Sequence, residues 1–472
     1  MSIVPLSMAT PSLKVARSRK NPPVFPPLPS NALSKVTAVG GVARIPHYEA
    51  YRVLAGAPPP PEAAAQAPSL RDELPAIVTH WLQSTDESPI MLGAKEGARW
   101  RQILSSYAGA NIEGGAAGEA SRQIPFVIDH SSLPFPPVEK PSFKFIDLFA
   151  GIGGFRLALQ AQGGKCVFTS EWDKHSKTSY AKNHGEVPFG DITHFTESRE
   201  GIDASFTSAI PSHTILAGGF PCQAFSQAGR QMGFNDARGT LFFEILKIAR
   251  RLKPEVLFLE NVKRLKSHDG GKTFKVIINS LHELGYKVYA KVLRAYDYGV
   301  PQNRERIFIV AFKSPIHFEF PTPPETRIYK NVGAILEKNV ADYYTISDKL
   351  YAGHIRRHME HRERGTGFGF SVFTSASPYT NTISARYWKD GSEILIDQNK
   401  QNPRMLTPRE CARLQGYPDE FQPHDSHTQA YKQFGNSVAV PVVSAIAESI
   451  LFWRGKARPV VSLIDPFEPV IF

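Results

Sequence analysis

Cysteine is scarce: 472 residues hold only Cys166, Cys222 and Cys411. They lie far apart with no CxxC spacing, which builds neither a disulfide framework nor a zinc site and points to a reducing interior. No uninterrupted run of about 18 apolar residues is present, so no segment is expected to span a membrane. Lys and Arg are scattered near the N-terminus without a continuous apolar stretch behind them, which argues against a secretory signal. Acidic residues are in deficit, with 44 Asp and Glu against 55 Lys and Arg, a formal net charge of +11. That balance favours a polyanionic partner but carries no specificity by itself.

The length allows two or three domains, each burying its own core, and 42% hydrophobic with 21% charged residues is ordinary for a globular chain. Residues 1–69 read as a disordered Pro-rich tail, with Pro22, Pro23, Pro26, Pro27 and Pro29 and then Pro58 to Pro61. Six Lys or Arg and no acid fall in the first 48 residues, which suits a solvated tail or a tether to nucleic acid. Residues 70–110 have helical spacing (Leu74, Ile77, Trp81; Trp100, Ile103, Leu104, Tyr107) and predict a small helical segment without a readable role. A Gly- and Pro-rich linker follows over 111–142. From 143 the pattern alternates strand and helix. Strands are expected near 145–149, 166–168, 213–217, 255–259, 286–294 and 306–312, and helices near 154–162, 174–183, 240–252 and 272–284. The fold class is therefore α/β, a doubly wound, mostly parallel sheet. The alternation stops over 314–403 and becomes helix-like again over 404–456, before a Pro-containing tail at 457–472.

The stretch GGFPCQAFSQAG (218–229) follows the apolar run Ile215-Leu216-Ala217, so a strand delivers Cys222 to the carboxyl edge of the sheet, where open α/β folds keep their chemistry. Pro221 fixes its own φ, and Gly218 and Gly219 permit close backbone approach. Taken alone, a lone cysteine such as Cys222 reads more readily as a buried structural one. The turn Gly151-Ile152-Gly153-Gly154 is not the dinucleotide fingerprint, since Arg156 stands where its third glycine belongs. Glu171, about 20 residues on, is placed for ribose hydroxyls, Trp172 for an adenine ring and Asp191 for the adenine amino group, a pattern for an adenosine cofactor without a pyrophosphate. Glu260 ends another strand, and Arg304 and Arg306 lie two apart on an extended segment. Together with Cys222 they form a nucleophile-plus-acid arrangement, although a structural ion pair accounts for Glu260 and an arginine equally well.

Nine blocks in order resemble the DNA (cytosine-5)-methyltransferase family: FIDLFAGIGGF (145–155), SEWD (170–173), GDIT (190–193), GFPCQAFS (219–226), RGTLFFEI (238–245), ENV (260–262), QNRERIFIV (302–310), RMLTPRECARLQGYPD (404–419) and QFGNSVAVP (433–441). The resemblance covers about 143–450 and leaves residues 1–142 outside it. It implies a Rossmann-like catalytic domain over 143–325, a target-recognition domain over 326–403, and C-terminal motifs over 404–456 that return to the catalytic domain. The implied cofactor is S-adenosylmethionine, held by Phe149, Gly151, Gly153, Glu171, Trp172, Asp191, Ile192, Pro221, Leu241, Asn436 and Ser437. The implied reaction adds the Cys222 thiolate to carbon 6 of a flipped-out cytosine, with Glu260 and Arg306 assisting at the ring and Arg304 ordering the site. Gln223 and Ser226 lie on the loop that closes over DNA, with Arg238 as a further DNA contact.

Residues 326–404 carry twelve Lys or Arg against eight Asp or Glu, a net +4. Lys349 to Arg364 is read as a helix facing phosphates, and the His354, His358 and His361 spacing is not read as a metal site because no Cys or carboxylate set completes it. GTGFGF (365–370) and TISARYWKDGSEILI (382–396) resemble the recognition region of the Dcm-type group acting on CC…GG sites, with Arg386 and Lys389 as candidate guanine contacts. The resemblance implies a monomer working on double-stranded DNA in the bacterial cytoplasm, either guarding against a restriction endonuclease encoded nearby, with no stable complex between them, or acting alone. The rival readings are a transfer-RNA methylating relative and a DNA-binding regulator acting through the N-terminal extension.

Overall fold

The computed structural model describes residues 35–57, 68–84, 93–112, 123–196, 210–221, 241–365, 367, 369–399 and 401–457. At the N-terminal end, β1 (Thr37–Val39) and β2 (Val42–Pro46) form an antiparallel hairpin that turns on Gly40 and Gly41. Both glycines have positive φ, 59° and 80°, as a two-residue hairpin turn requires. Helix α1 (His47–Ala55) follows, then α2 (Pro68–Leu82) and α3 (Gly93–Asn111), and β3 (Phe126–Asp129) pairs in parallel with β2. Two expectations are thereby corrected. Residues 35–57 are ordered and bury Val36, Ala43, Ile45, Ala50 and Leu54, and the stretch read as linker contributes a strand at 126–129 and a buried Leu133. Val-Gly-Gly-Val is itself a hairpin signal, masked by dense proline on either side. The pairing of β3 with a strand some 80 positions earlier leaves no local trace.

The central sheet comprises β4 (Phe143–Leu148), β5 (Gly164–Ser170), β6 (Ile215–Gly219), β7 (Val256–Val262), β8 (Lys287–Arg294) and β9 (Glu305–Phe312), in the order β5-β4-β6-β7-β9-β8. The first four strands of that order are parallel, and β9 runs antiparallel to both neighbours. The connecting helices are α4 (Gly154–Ala161), α5 (Lys174–His184), the short α6 (Thr193–Thr196), α7 (Leu241–Leu252) and α8 (Lys272–Glu283). Side chains alternate across the strands. Phe145, Ile215, Ala217, Val256, Phe258 and Val310 pack one way, while Ile146, Leu148, Leu216, Leu257, Leu259 and Ile309 pack the other. Both faces are covered, which explains the near-continuous apolar strands. The second face is shared with α2 and α3 through Ala76, Ile77, Val78, Trp81, Trp100 and Leu104. The N-terminal module is thus part of the main core.

Past the sheet, the chain forms α9 (Asp348–Glu363), the two-residue strands β10 (Val372–Phe373) and β11 (Leu395–Ile396), α10 (Pro408–Leu414), α11 (His427–Asn436) and α12 (Val440–Ala457). Thr407 and Glu410 form a reciprocal capping box at α10, with Pro408 in its first turn. Val332, Ile335, Ile383, Tyr387 and Ile396 share one core with Leu406, Leu414, Tyr417 and Phe434, so the 326–403 region is packed continuously onto the C-terminal helices. Helix α12 contributes Val442, Val443, Ile446 and Ile450 to the core beside α4. Among the described residues, 427–456 holds an 18-residue stretch apolar enough by length and composition to cross a membrane, and 56% of that stretch is buried within the fold.

Candidate active site

The parallel strands place their carboxyl ends on one edge, and the strand order reverses beside β4, where such sheets bind ligands. Phe149, just after β4, adopts φ 55°, a left-handed conformation uncommon for a residue with a Cβ. Gly153 has φ 87° and caps α4, and a Cβ there would collide with His184. Glu171 follows β5. Its Oε2 accepts from Gly151 N at 2.8 Å and its Oε1 from Asp173 N at 2.8 Å, so the carboxylate is fixed against the glycine turn. Burial pushes its pKa up, and these amide hydrogen bonds oppose the shift. Trp172 is 81% exposed beside it. Asp191 accepts from Thr193 N at 2.9 Å, and Ile192 is buried. A Cβ on Gly151 would meet nothing within 4 Å. An open turn, a fixed acid and an uncovered indole fit an adenosine group.

Glycine 219, at the end of β6, pairs in register with Glu260 on β7. A Cβ at 219 would lie 3.2 Å from Glu260 Oε2, so glycine lets the strand end approach the carboxylate. Asn261 Nδ2 donates to Phe220 O at 2.8 Å and ties the two strand ends together. Pro221 is exposed just beyond. Cys222, Gln223, Ser226 and Arg238 lie outside the described residues. Glu260 is buried and meets Arg306 Nε at 3.1 Å, from the start of β9. Desolvation pushes the Glu260 pKa up, while Arg306 and Arg304 pull it down. Arg304 turns elsewhere: its guanidinium donates to the carbonyl oxygens of Ile383, Gly435 and Ser437. It joins the catalytic sheet to two later segments.

The C-terminal residues do return to the glycine turn. Ser437 Oγ lies 2.6 Å from Tyr417 Oη, and a Cβ on Gly154 would meet Val438 at 2.6 Å and Tyr417 Oη at 2.9 Å. Asn436 is exposed at the same place, and Leu241 opens α7 half-buried. Arg386 and Lys389 are exposed around a single helical turn, and the Lys389 and Lys432 ammonium groups lie over the Trp388 ring at 5.7 and 5.2 Å. His354 packs on Phe370 and bonds Asp390 O at 3.1 Å, and among the described residues no metal-binding cluster forms. Sequence reasoning overlooked Gln302, which is fully buried. It donates to Leu414 O at 3.0 Å and accepts from Ile383 N at 3.1 Å, doing for this junction what Arg304 does. Its place in the QNRER block was the available signal.

Residues 143–451 match the family model for C-5 cytosine-specific DNA methylases. The chain is 52% identical over 358 residues to the type II methyltransferase M.SsoII of Shigella sonnei, covering 74% of this chain and 91% of that protein. It is 43% identical over 342 residues to M.HpaII of Haemophilus parainfluenzae, covering 67% and 92%. Among solved structures, the Entamoeba histolytica methyltransferase EhMeth shares the fold with a TM-score of 0.51 at 20% identity, over 66% of this chain and 98% of that one. An α/β sheet with an adenosine-fitting turn and a buried acid–arginine pair at its carboxyl edge defines a methyltransferase architecture. The chain belongs to the C-5 cytosine-specific DNA methylase family and is a DNA cytosine-5 methyltransferase that uses S-adenosylmethionine.

Proposed function

We propose that Cys222 is the nucleophile, that Glu260 and Arg306 assist it at the cytosine ring, and that Arg304 positions the site from behind. The observation that carries this is the pairing of Glu260 with Gly219, three residues before Cys222, with Arg306 on the carboxylate. Cytosine is a poor nucleophile at carbon 5. The Cys222 thiolate forms a bond to carbon 6, and the ring double-bond electrons move toward nitrogen 3, where the Glu260 carboxyl supplies a hydrogen bond. Burial favours the protonated carboxyl that such a bond needs, and Arg306 limits that shift and orients the group. Carbon 5 is then an enamine carbon. Bound S-adenosylmethionine supplies it with an electrophilic methyl group. Loss of the carbon 5 proton and expulsion of the thiolate restore the aromatic ring. Glu171, Trp172, Asp191 and Ile192 hold the adenosine portion, with Phe149, Gly151, Gly153, Pro221, Leu241, Asn436 and Ser437 lining the remainder.

The target base must leave the duplex stack to reach this edge. Residues 326–403 read the site in this proposal: α9 meets phosphates, and Arg386 and Lys389 meet guanine edges of a CC…GG-like sequence. The relatives named type II methyltransferases support a role in restriction–modification, and in this proposal the chain works as a monomer in the bacterial cytoplasm with a restriction endonuclease encoded nearby. Bisulfite sequencing of DNA from cells expressing the chain gives the modified base and its context together. Cys222→Ser should abolish methylation while S-adenosylmethionine still binds. Near-normal methylation by that variant would overturn the assignment of the nucleophile.

A further inference from the structure

Among the described residues the sheet ends at β5, and beyond it an isolated bridge, Ser170 to Phe189, continues the ladder, with Phe189 N donating to Thr169 O and Phe189 O accepting from Glu171 N. The segment 187–192 therefore runs beside the edge with few backbone partners of its own, although it carries Asp191 and Ile192. Helix α2 supplies side chains in place of a further strand. Glu73 accepts from Gly190 N through both carboxylate oxygens, at 2.9 and 3.1 Å. Thr79 Oγ1 accepts from Val187 N at 2.9 Å. His80 packs against Phe189 with ring centroids 4.5 Å apart, and its Nε2 accepts from Thr169 N at 3.2 Å on the β5 edge. Gln83 reaches the other side of the glycine turn, accepting from Arg156 at 2.6 Å and donating to His184 O at 2.6 Å.

The close fit is specific to the residues present. A Cβ on Gly190 would lie 2.6 Å from Glu73 Oε1, so only glycine admits the carboxylate at this distance. On the segment's inner side, Ser170 Oγ donates to Gly190 O at 2.8 Å. The peptide around Gly190 is thus gripped on its N–H by the N-terminal module and on a neighbouring carbonyl by β5. An amide left without an acceptor in this part-buried place loses its hydrogen bond and its fixed direction.

We propose that Glu73 is a positioning residue for S-adenosylmethionine: its carboxylate holds the Gly190 peptide so that Asp191 and Ile192 are preset to receive the adenine ring. This rests on the assignment of Asp191 and Ile192 to the cofactor. It gives the N-terminal region, which lies outside the family match, a role in cofactor affinity. Glu73 touches no reacting atom, so its loss should weaken cofactor binding and spare the chemical step.

The test is titration calorimetry with S-adenosylmethionine on the full chain, together with kcat and KM for the cofactor. Glu73→Ala should raise the cofactor Kd about five- to tenfold, as loss of one hydrogen bond does, with kcat at saturating cofactor changed by less than about twofold. Glu73→Gln retains an oxygen acceptor and should restore most of the affinity, which a merely structural charge would not predict. If Asp191→Ala raises Kd but Glu73→Ala does not, the positioning role is wrong and the cofactor assignment stands. If Asp191→Ala and Glu171→Ala both leave Kd unchanged, the cofactor assignment fails and this inference fails with it. Should Glu73→Ala not fold, Glu73→Met removes the acceptor for Gly190 N while keeping most of the side chain's bulk. A raised Kd in that variant then supports the proposal, and an unchanged one overturns it.

Discussion

The two arginines of the QNRER block stand two residues apart and have different work. Arg306 faces a buried carboxylate, and Arg304 faces three carbonyl oxygens. Replacing Arg306 with Met removes the partner that lowers the Glu260 pKa and leaves desolvation unopposed on that side. The carboxyl should then titrate at higher pH, so the alkaline limb of the kcat profile, where protonated Glu260 is lost, should move upward. Turnover at the optimum should fall about 10- to 100-fold, as expected for loss of a charge-assisted hydrogen bond. A profile that stays in place would show that Glu260 does not set that limb. Arg304→Met should leave the limb closer to its original position and cost mainly stability, because the three carbonyls lose their donor. The other two cysteines make a further contrast. Cys166 and Cys411 are buried, and desolvation pushes both thiols well above their ordinary range, which keeps them protonated and unreactive.

Among the elements, α2 carries the largest departure from expectation. Its apolar spacing was legible, and the helices at 68–82 and 93–111 lie where Leu74, Ile77, Trp81 and Trp100 predict them. What spacing cannot convey is the surface a helix covers. Trp81 is 1% exposed and meets Trp100 edge-to-face at 5.3 Å, within a core that continues into Phe168, Leu216 and Leu257 of the sheet. Trp81→Ala should cost about 3–5 kcal/mol. Because the core is shared, denaturant unfolding should show one transition shifted as a whole. Separate unfolding of an N-terminal unit, with the catalytic transition unmoved, would contradict the shared core. The central strands and helices were legible for a related reason: both faces of the sheet are covered, so the strands are apolar runs separated by helical patterns. The hairpin at 37–46 and its partner at 126–129 were not, since their pairing closes over some 80 residues of other structure. The acid, the glycine turn and the cysteine could be ordered along the chain by their blocks. Arg304's turn toward Ile383 and Gly435 could not, because strand alternation fixes a direction only inside a strand and Arg304 lies just before β9.

At the scale of the whole molecule, the N-terminal module and the catalytic sheet meet across a group of buried imidazoles. His47 lies 4.9 Å from His130, and His184 sits beneath the glycine turn. Burial is the largest cause in each case: it lowers His47 to about 3 and His130 to about 4, and holds His184 well below its ordinary value. All three are therefore neutral in the native state at physiological pH, while in the unfolded chain they take up protons below about pH 6.5. The unfolded state binds more protons in that window, so stability is present above about 6.5 and falls as pH drops toward the folded values. The buried carboxyls Asp147 and Glu260 pull the other way, because their raised pKa values favour the native state as protons become available. A bare pH scan mixes the two effects, and a difference measurement separates them. His47→Gln removes one titrating imidazole and leaves the carboxyls in place. Between pH 6.5 and 4.5, urea unfolding of the wild type should lose stability faster than the variant, by on the order of 1 kcal/mol per pH unit. Parallel curves would mean that His47 is already hydrated or protonated in the native state, and that the seam between the N-terminal module and the sheet is open to water.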